Sequence, residues 1–306
     1  MPPPLIAVVG PTATGKSDLG LALAAALDGE VVNADAMALY RGLDIGTAKP
    51  SARRRAGIRH HLFDVLDVTE AGSVAAYQRV AREVVEDLRA GGRTPVLVGG
   101  SGLYVQAVVD ELEFPGTDPA LRNALEAELA ELGSAVLHTR LAAVDPAAAA
   151  VVLPSNGRRI VRALEVVALT GRPFPARLAT DGVPRYGAVL LGVDRPVAEL
   201  DERVARRVAR MFAAGLVAET RALAARGLRE GRTASRALGY QQVLAALDGP
   251  GDLAAAAVET VRATRRFVRR QRSWFRRDRR VHWLDGGSDL VEHAWTALRD
   301  RGVGPP

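Results

Sequence analysis

The chain has 306 residues, of which 48% are hydrophobic and 25% charged, with a net charge of +6 and no cysteine. This composition is that of a globular protein with enough chain for one large domain or two smaller ones, and it excludes disulfides and thiolate metal sites. The N-terminal apolar run Leu5–Val9 is too short for a signal-peptide core, and no stretch approaches the ~20 apolar residues of a membrane span. A cytoplasmic protein without a membrane partner is therefore expected.

The first hundred residues alternate strand and helix signals, as a parallel α/β sheet requires. Leu5–Gly10 predicts a buried strand. It runs into Gly10, Pro11, Thr12, Ala13, Thr14, Gly15, Lys16 and Ser17, a full G-x-x-x-x-G-K-S match. Such a loop turns successive backbone N–H groups toward an anion, and the helix after it (Gly15–Leu27) adds its positive N-terminal end. Of the 41 basic residues only Lys16 and Lys49 are lysines. A lysine kept at the phosphate slot is thus informative, because a compact ammonium fits over phosphate oxygens where a planar guanidinium does not. Ser17 offers a hydroxyl to Mg²⁺.

Glu30–Asp35 reads as a second strand ending in a carboxylate, at the edge where open α/β sheets bind ligands; an Asx-turn is the bland alternative for Asp35. The loop at 44–50 carries Lys49 and reads as a solvated loop, and His60-His61 as an isolated pair without carboxylate spacing for a metal. Tyr77–Leu88 predicts a helix, Thr94–Gly100 a strand and Ser101 the start of another helix. That strand ends in Gly99-Gly100-Ser101 and lacks the aspartate a nucleotide hydrolase places there for Mg²⁺. The anion is thus a phosphate group that need not come from ATP.

From Phe114 to about Pro184 the signals are helical only, with starts at Asp118-Pro119, Asp145-Pro146 and Ser155 and a stop at Gly171-Arg172-Pro173. This predicts a helical insertion at 114–184 in a P-loop-type parallel α/β core made of 1–113 and 185–306. Tyr186–Asp194 predicts a further strand, 196–227, 237–247 and 253 to about 280 predict helices, and Val281–Leu284 a short last strand. Arg203 with Arg207 and Arg206 with Arg210 share helix faces. The run Arg265–Arg280 holds nine arginines and one aspartate, a charge of +8 that exceeds the net charge of the whole chain. Phe267, Trp274 and Phe275 interleave with them, a pattern suited to phosphates and unpaired bases.

Taken together, GPTATGKS at 10–17, DAMALYRGLDIGTAKP at 35–50, LVGGSGLY at 97–104, DPALR at 118–122, RRIVRALEV at 158–166, SRALGYQQ at 235–242 and RRQRSWFRR at 269–277 resemble the bacterial tRNA dimethylallyltransferases, or tRNA isopentenyltransferases. The resemblance implies transfer of a dimethylallyl group from dimethylallyl diphosphate to N6 of the adenosine 3′ of the anticodon, with Mg²⁺ as cofactor, the tRNA anticodon stem-loop as partner and a monomeric enzyme. It implies that residues 10–17 grip the diphosphate, that Ser17 helps hold the metal, and that Asp35, Arg207 and Lys16 are catalytic, Asp35 as general base. It places tRNA contacts at Asp35, Ala36, Met37, Ala38, Ser101 and Arg122, and at Arg158, Arg159, Ile160, Val161 and Arg162. Further tRNA contacts are implied at Arg236, Ala237, Leu238, Gly239, Tyr240 and Gln241, and at Arg269, Arg270, Gln271, Arg272, Ser273, Trp274, Phe275 and Arg276. Ala36 and Ala38 depart from the serine and glutamine common at their positions. Two other classes fit parts of the pattern: a P-loop small-molecule kinase, which leaves Arg265–Arg280 without a role, and a non-catalytic RNA-binding protein, which leaves the P-loop and Asp35 without one.

Overall fold

The computed structural model describes residues 2–175, 182–249, 251–287 and 289–304. The chain forms two compact units, Met1–Glu111 with Thr180–Pro306, and Leu112–Ala179. The insertion expected at 114–184 includes residues 176–181, which lie outside the described residues. In chain order the elements are β1 (Ile6–Val9), α1 (Lys16–Ala26), β2 (Gly29–Asn33), α2 (Ala52–Arg55), β3 (His60–His61), α3 (Val74–Ala90), β4 (Thr94–Gly99), α4 (Gly102–Val109), α5 (Pro119–Val144), α6 (Pro146–Ala149), α7 (Gly157–Thr170), β5 (Val189–Asp194), α8 (Val197–Ala213), α9 (Leu216–Ala224), α10 (Tyr240–Asp248), α11 (Leu253–Phe275), β6 (His282–Asp285) and α12 (Leu290–Arg299).

In the first unit six strands form one sheet of order β3-β2-β4-β1-β5-β6, with every pair parallel. Strands β1, β4 and β5 are nearly continuous apolar runs because both their faces are covered. On one face Leu5, Ala7, Val9 and Leu97 pack with α3, α4 and Phe275 at the end of α11. On the other, Ile6, Val8 and Val96 pack with Leu19 and Leu23 of α1 and with Leu290, Ala294 and Leu298 of α12. Each fully buried Val, Leu or Ile contributes about 1.5–3 kcal/mol, and all four side chains of β1 are fully buried. The P-loop therefore leaves the middle of the sheet's carboxyl edge, with the ends of β2 and β4 on one side and those of β5 and β6 on the other.

The structure departs from the sequence expectations at a few points. The second strand stops at Asn33, because the Asn33 side chain takes over the pairing beyond it. The strand expected from Tyr186 starts at Val189 and is preceded by a 3₁₀ turn in which Tyr186 has φ 60°. The helices expected over 196–227 are α8 and α9, parted at Gly215, whereas α12 has no counterpart among the expected elements. The pair His60-His61 is an edge strand beside β2, and His61 Nε2 lies 2.5 Å from Glu30 Oε2, so it has a carboxylate neighbour after all. No helix among the described residues is long and apolar enough to cross a membrane.

The second unit packs α5 against α7 around Leu125, Leu137, Leu141, Ile160 and Leu164. Fully buried Glu165 accepts hydrogen bonds from Arg122, Arg162, the Thr117 hydroxyl and the Asp118 N–H. Burial works to raise its carboxyl, but the bonds from Arg122, Thr117 and Arg162 outweigh it and hold the group well below the usual carboxylate range.

Candidate active site

The P-loop is shaped from within and braced from outside. Gly10 has φ 130°, and a Cβ there would lie 2.3 Å from the Val193 carbonyl oxygen, so only glycine lets β1 turn away so close to β5. The Thr14 hydroxyl and the Lys16 ammonium both donate to the Pro11 carbonyl, at 3.0 and 3.1 Å. Three side chains from later in the chain hold the loop's backbone. Arg195 Nε donates to Thr14 O at 3.0 Å, Arg203 Nε donates to Ala13 O at 2.6 Å, and the Thr12 N–H donates to Gln271 Oε1 at 3.0 Å. Arg195 and Arg203 also flank Glu199.

The electrostatics link this loop to two of the expected catalytic groups. Burial first, then the Arg207 charge, pushes the Lys16 ammonium down to about 8, while Asp35 pulls it up. Burial likewise lowers the pKa of Arg207, and Asp35 again opposes it. Lys16, Arg207 and Asp35 thus sit within one another's fields, one carboxylate with two cationic groups. Such a site, with more positive than negative charge and backbone N–H groups beside it, is suited to a substrate that brings its own negative charge.

Asp35 lies two residues past β2. Its backbone is bracketed by Asn33, whose Oδ1 accepts the Asp35 N–H at 2.9 Å and whose Nδ2 donates to Asp35 O and to Leu62 O at 3.0 and 2.9 Å. The Tyr77 hydroxyl, on α3, donates to Asn33 O at 2.8 Å. Asp35 Oδ1 accepts the Met37 N–H at 2.9 Å, so the Asx-turn weighed against the catalytic reading is present. It occupies one carboxylate oxygen, and Oδ2 accepts no hydrogen bond among the described residues. Ser101 caps the start of α4, and its Oγ accepts the Ala36 N–H at 3.1 Å, which ties the Asp35 loop to the end of β4. Ala38 is buried and Ala36 packs on the core.

Arg207 is presented by α8. Leu200, Val204, Val208 and Met211 form the buried stripe of that helix, which leaves Arg203 and Arg207 along its flank. Arg207 Nη2 donates to Thr47 O at 3.2 Å, in the loop that reads as solvated. That loop is in fact fastened at three points. The Lys49 side chain, 4% exposed, bonds to Tyr40 O, Asp44 and Asp64 at 2.5, 2.9 and 2.6 Å. Glu219 accepts the Ile45 N–H, and the Tyr240 hydroxyl accepts the Gly46 N–H while donating to Glu219. The second lysine is thus a buried fastener of the Arg207 support.

The structure separates the remaining expected tRNA residues by exposure. On α11 and just after it, Phe275 and Gln271 are buried, and Trp274 packs over Gly102. Arg272 and Arg276 both bind Asp194, Arg265 and Arg269 both face Asp201, and Arg280 binds Asp110 and Asp278. That leaves Arg266, Arg270, Arg277 and Arg279 without a carboxylate partner among the described residues; Arg270 lies over the Phe267 ring at 5.6 Å, and Ser273 is exposed beside them. Of the 236–241 stretch, Arg236 and Gln241 are exposed and Leu238 half-buried, whereas Ala237, Gly239 and Tyr240 are buried. In the helical unit Arg158 is exposed and Arg159 half-buried, Arg122 and Arg162 are bound to Glu165, and Ile160 and Val161 belong to the core.

Sequence reasoning missed Arg195, Asn33 and the bridging role of Gln271. Asn33 carried a signal, since a buried asparagine closing a valine strand goes against β-propensity. Arg195 and Gln271 carried none, because their partners are 181 and 259 residues away.

For a metal, the described residues hold no cluster of three or more His, Cys, Asp or Glu side chains. At the P-loop the exposed Ser17 hydroxyl is an oxygen donor open to solvent. A single hydroxyl fits Mg²⁺, which keeps several waters and takes its other ligands from substrate phosphates.

A parallel sheet with a glycine-rich loop at its centre, and a carboxylate and a buried arginine beside that loop, define a P-loop-type α/β protein. Residues 38–278 match the family described as IPP transferase. The tRNA dimethylallyltransferase of Salinispora tropica is 66% identical over 296 residues, covering 96% of this chain and 92% of that one. The full-length tRNA isopentenylpyrophosphate transferase of Bacillus halodurans, a crystal structure, superposes with a TM-score of 0.71 at 37% identity and 98% coverage of both chains. A eukaryotic dimethylallyltransferase acting on tRNA shares the fold at a TM-score of 0.77 and 23% identity, covering 97% of this chain and 77% of that one. The chain belongs to the IPP transferase family.

Proposed function

We propose that this protein is a tRNA dimethylallyltransferase that moves the dimethylallyl group of dimethylallyl diphosphate to N6 of the adenosine 3′ of the anticodon, as a monomer in the cytoplasm. The observation that carries this reading is the grouping of Lys16, Arg207 and Asp35 around a P-loop in a chain of the IPP transferase family. Family membership favours prenyl transfer over phosphoryl transfer from ATP, and the exposed arginines of α11 give the RNA a surface that a small-molecule kinase has no use for.

In this reading the N6 lone pair forms a bond to C1 of the allyl group as the C1–O bond breaks. The bonding electrons leave on the diphosphate, and the N6 proton passes to Asp35 Oδ2. The amine is a weak nucleophile because its lone pair is delocalised into the ring, so a positioned base is worth roughly 10²–10⁴-fold. Charge grows on the leaving diphosphate, where the P-loop amides, Lys16 and Arg207 meet it. Ser17 is the residue that would hold Mg²⁺, which when bound would add positive charge at the leaving group. The target adenosine must leave its stack to reach Asp35, a cost of a few kcal/mol.

The test is incubation of the purified protein with dimethylallyl diphosphate and an unmodified anticodon stem-loop, with and without ATP. Prenylated adenosine and released diphosphate in the absence of ATP are expected. Phosphorylation that needs ATP, or RNA binding with neither reaction, would sink the proposal.

A further inference from the structure

Gln271 falls in the arginine-rich stretch that the family resemblance gives to tRNA, yet it is 5% exposed and both ends of its carboxamide are committed. Its Oε1 accepts the Thr12 N–H of the P-loop at 3.0 Å, and its Nε2 donates to Gly100 O at 2.9 Å. Backbone pairing between β1 and β4 ends at Val9 and Gly99. Beyond that step the two strands feed different loops, one for the anion and one for the acceptor side, and the carboxamide is the next connection between them.

The connection continues to Asp35. The Ser101 N–H donates to Ala34 O at 3.3 Å, and Ser101 Oγ accepts the Ala36 N–H at 3.1 Å, so the residue after Gly100 grips both neighbours of Asp35. The space beside Gly100 is tight: a Cβ there would lie 2.2 Å from Gln271 Nε2 and 3.1 Å from the Gly10 carbonyl oxygen. Only a group with an acceptor at one end and a donor at the other satisfies both a backbone N–H and a backbone carbonyl here. Ionised glutamate lacks the donor, and methionine has no donor and only a weak acceptor.

We infer that Gln271 is a positioning residue that holds the diphosphate loop in register with the loop carrying Asp35, so that the allylic carbon and the attacking N6 meet in line. This rests on the transfer reaction proposed above. In-line displacement is sensitive to small displacements, and a shift of about 1 Å costs on the order of 10²-fold in rate. Gln271 therefore acts on kcat through the two loops, and it touches neither substrate.

The experiment compares wild type with Gln271→Met, which keeps the volume and removes both hydrogen bonds, and with Gly100→Ala, which crowds the carboxamide and, less closely, the Gly10 carbonyl. Transfer is followed in a single turnover with dimethylallyl diphosphate and anticodon stem-loop both saturating, and Kd for each substrate and Tm are measured separately. Both variants should lose roughly 10–100-fold in the saturated rate while Kd for each substrate stays within about threefold of wild type. Gln271→Glu, which keeps the bond from Thr12, should fall between. A normal saturated rate with weakened stem-loop binding would make Gln271 an RNA contact, and a normal rate with a lowered Tm would make it a structural group only; either overturns the inference. Hydrogen exchange at the Thr12 amide needs no transfer and separates this inference from the reaction it rests on. Faster exchange in Gln271→Met than in wild type supports the brace even if wild type transfers nothing, and equal exchange refutes it.

Discussion

Two helices of this protein carry dense runs of arginine and use them in opposite ways. On α8 and just before it, Arg195, Arg203 and Arg207 donate to the backbone carbonyls of Thr14, Ala13 and Thr47. A carbonyl orients a guanidinium without cancelling its charge, though the Arg195 and Arg203 guanidinium groups also share Glu199. The result is excess positive charge around the P-loop. Between Arg265 and Arg280, on α11 and the turn after it, five of nine arginines face Asp201, Asp194, Asp110 or Asp278. The formal charge of the Arg265–Arg280 run therefore overstates the field that it projects. What a cation is bonded to, and not how many cations a segment holds, sets the field a substrate meets.

The contrast can be sharpened by removing charges from each region in turn. The largest effect is expected at Asp35, the carboxylate that lies in the field of Arg207. Asp35→Asn should leave both substrates bound and lower the single-turnover rate by roughly 10²–10⁴-fold; a near-normal rate would reduce Asp35 to its Asx-turn with Met37. Next, Arg207→Ala should cost on the order of 10²–10³-fold in the same rate, because its partner is charge that appears as the diphosphate leaves, with stem-loop affinity little changed. Lys16→Ala should behave alike.

A pH profile gives a smaller effect of defined sign. The Lys16 ammonium, lowered to about 8 by burial and Arg207, is charged below that value and loses its charge as pH rises through it. The kcat/KM for dimethylallyl diphosphate should therefore fall above pH 8, by up to about tenfold per unit, since this ratio reports the free enzyme. In kcat at saturation the same limb should move to higher pH, because the bound diphosphate favours the charged ammonium. An unchanged kcat/KM across this range would remove Lys16 from diphosphate binding. The smallest effects belong to α11. Gln substitutions at Arg266, Arg270 and Arg277 should each lower the log–log salt slope of stem-loop binding by about 0.7–0.9. The same change at Arg269 and Arg276, already paired with Asp201 and Asp194, should alter that slope by less than about half a unit per site.

Much of this was legible in the chain. Strands β1, β4 and β5 are buried on both faces and so read as apolar runs, and the P-loop residues announce an anion site by composition and spacing. Asp35 was read from its place after a strand. Charge cancellation was not legible, because it depends on partners far along the chain: Arg269 meets Asp201 68 residues away, and Arg272 meets Asp194 78 residues away. For the same reason Lys49 read as a surface cation although Tyr40, Asp44 and Asp64 enclose it, and Tyr240 read as an RNA contact although its ring fills a core. Helix α12 could have been found from the spacing of Leu290, Ala294, Ala297 and Leu298.

The central claim, that the α8 arginines serve the departing diphosphate while the unpaired α11 arginines serve RNA, is tested most directly by a two-by-two measurement. Single-turnover transfer rate at saturation and stem-loop Kd would be determined for Arg207→Ala and for the combined Arg266, Arg270 and Arg277→Gln protein. The account predicts that the first loses rate and keeps its Kd, and that the second loses affinity and recovers its rate when the stem-loop saturates. Loss of the same quantity in both proteins would contradict it.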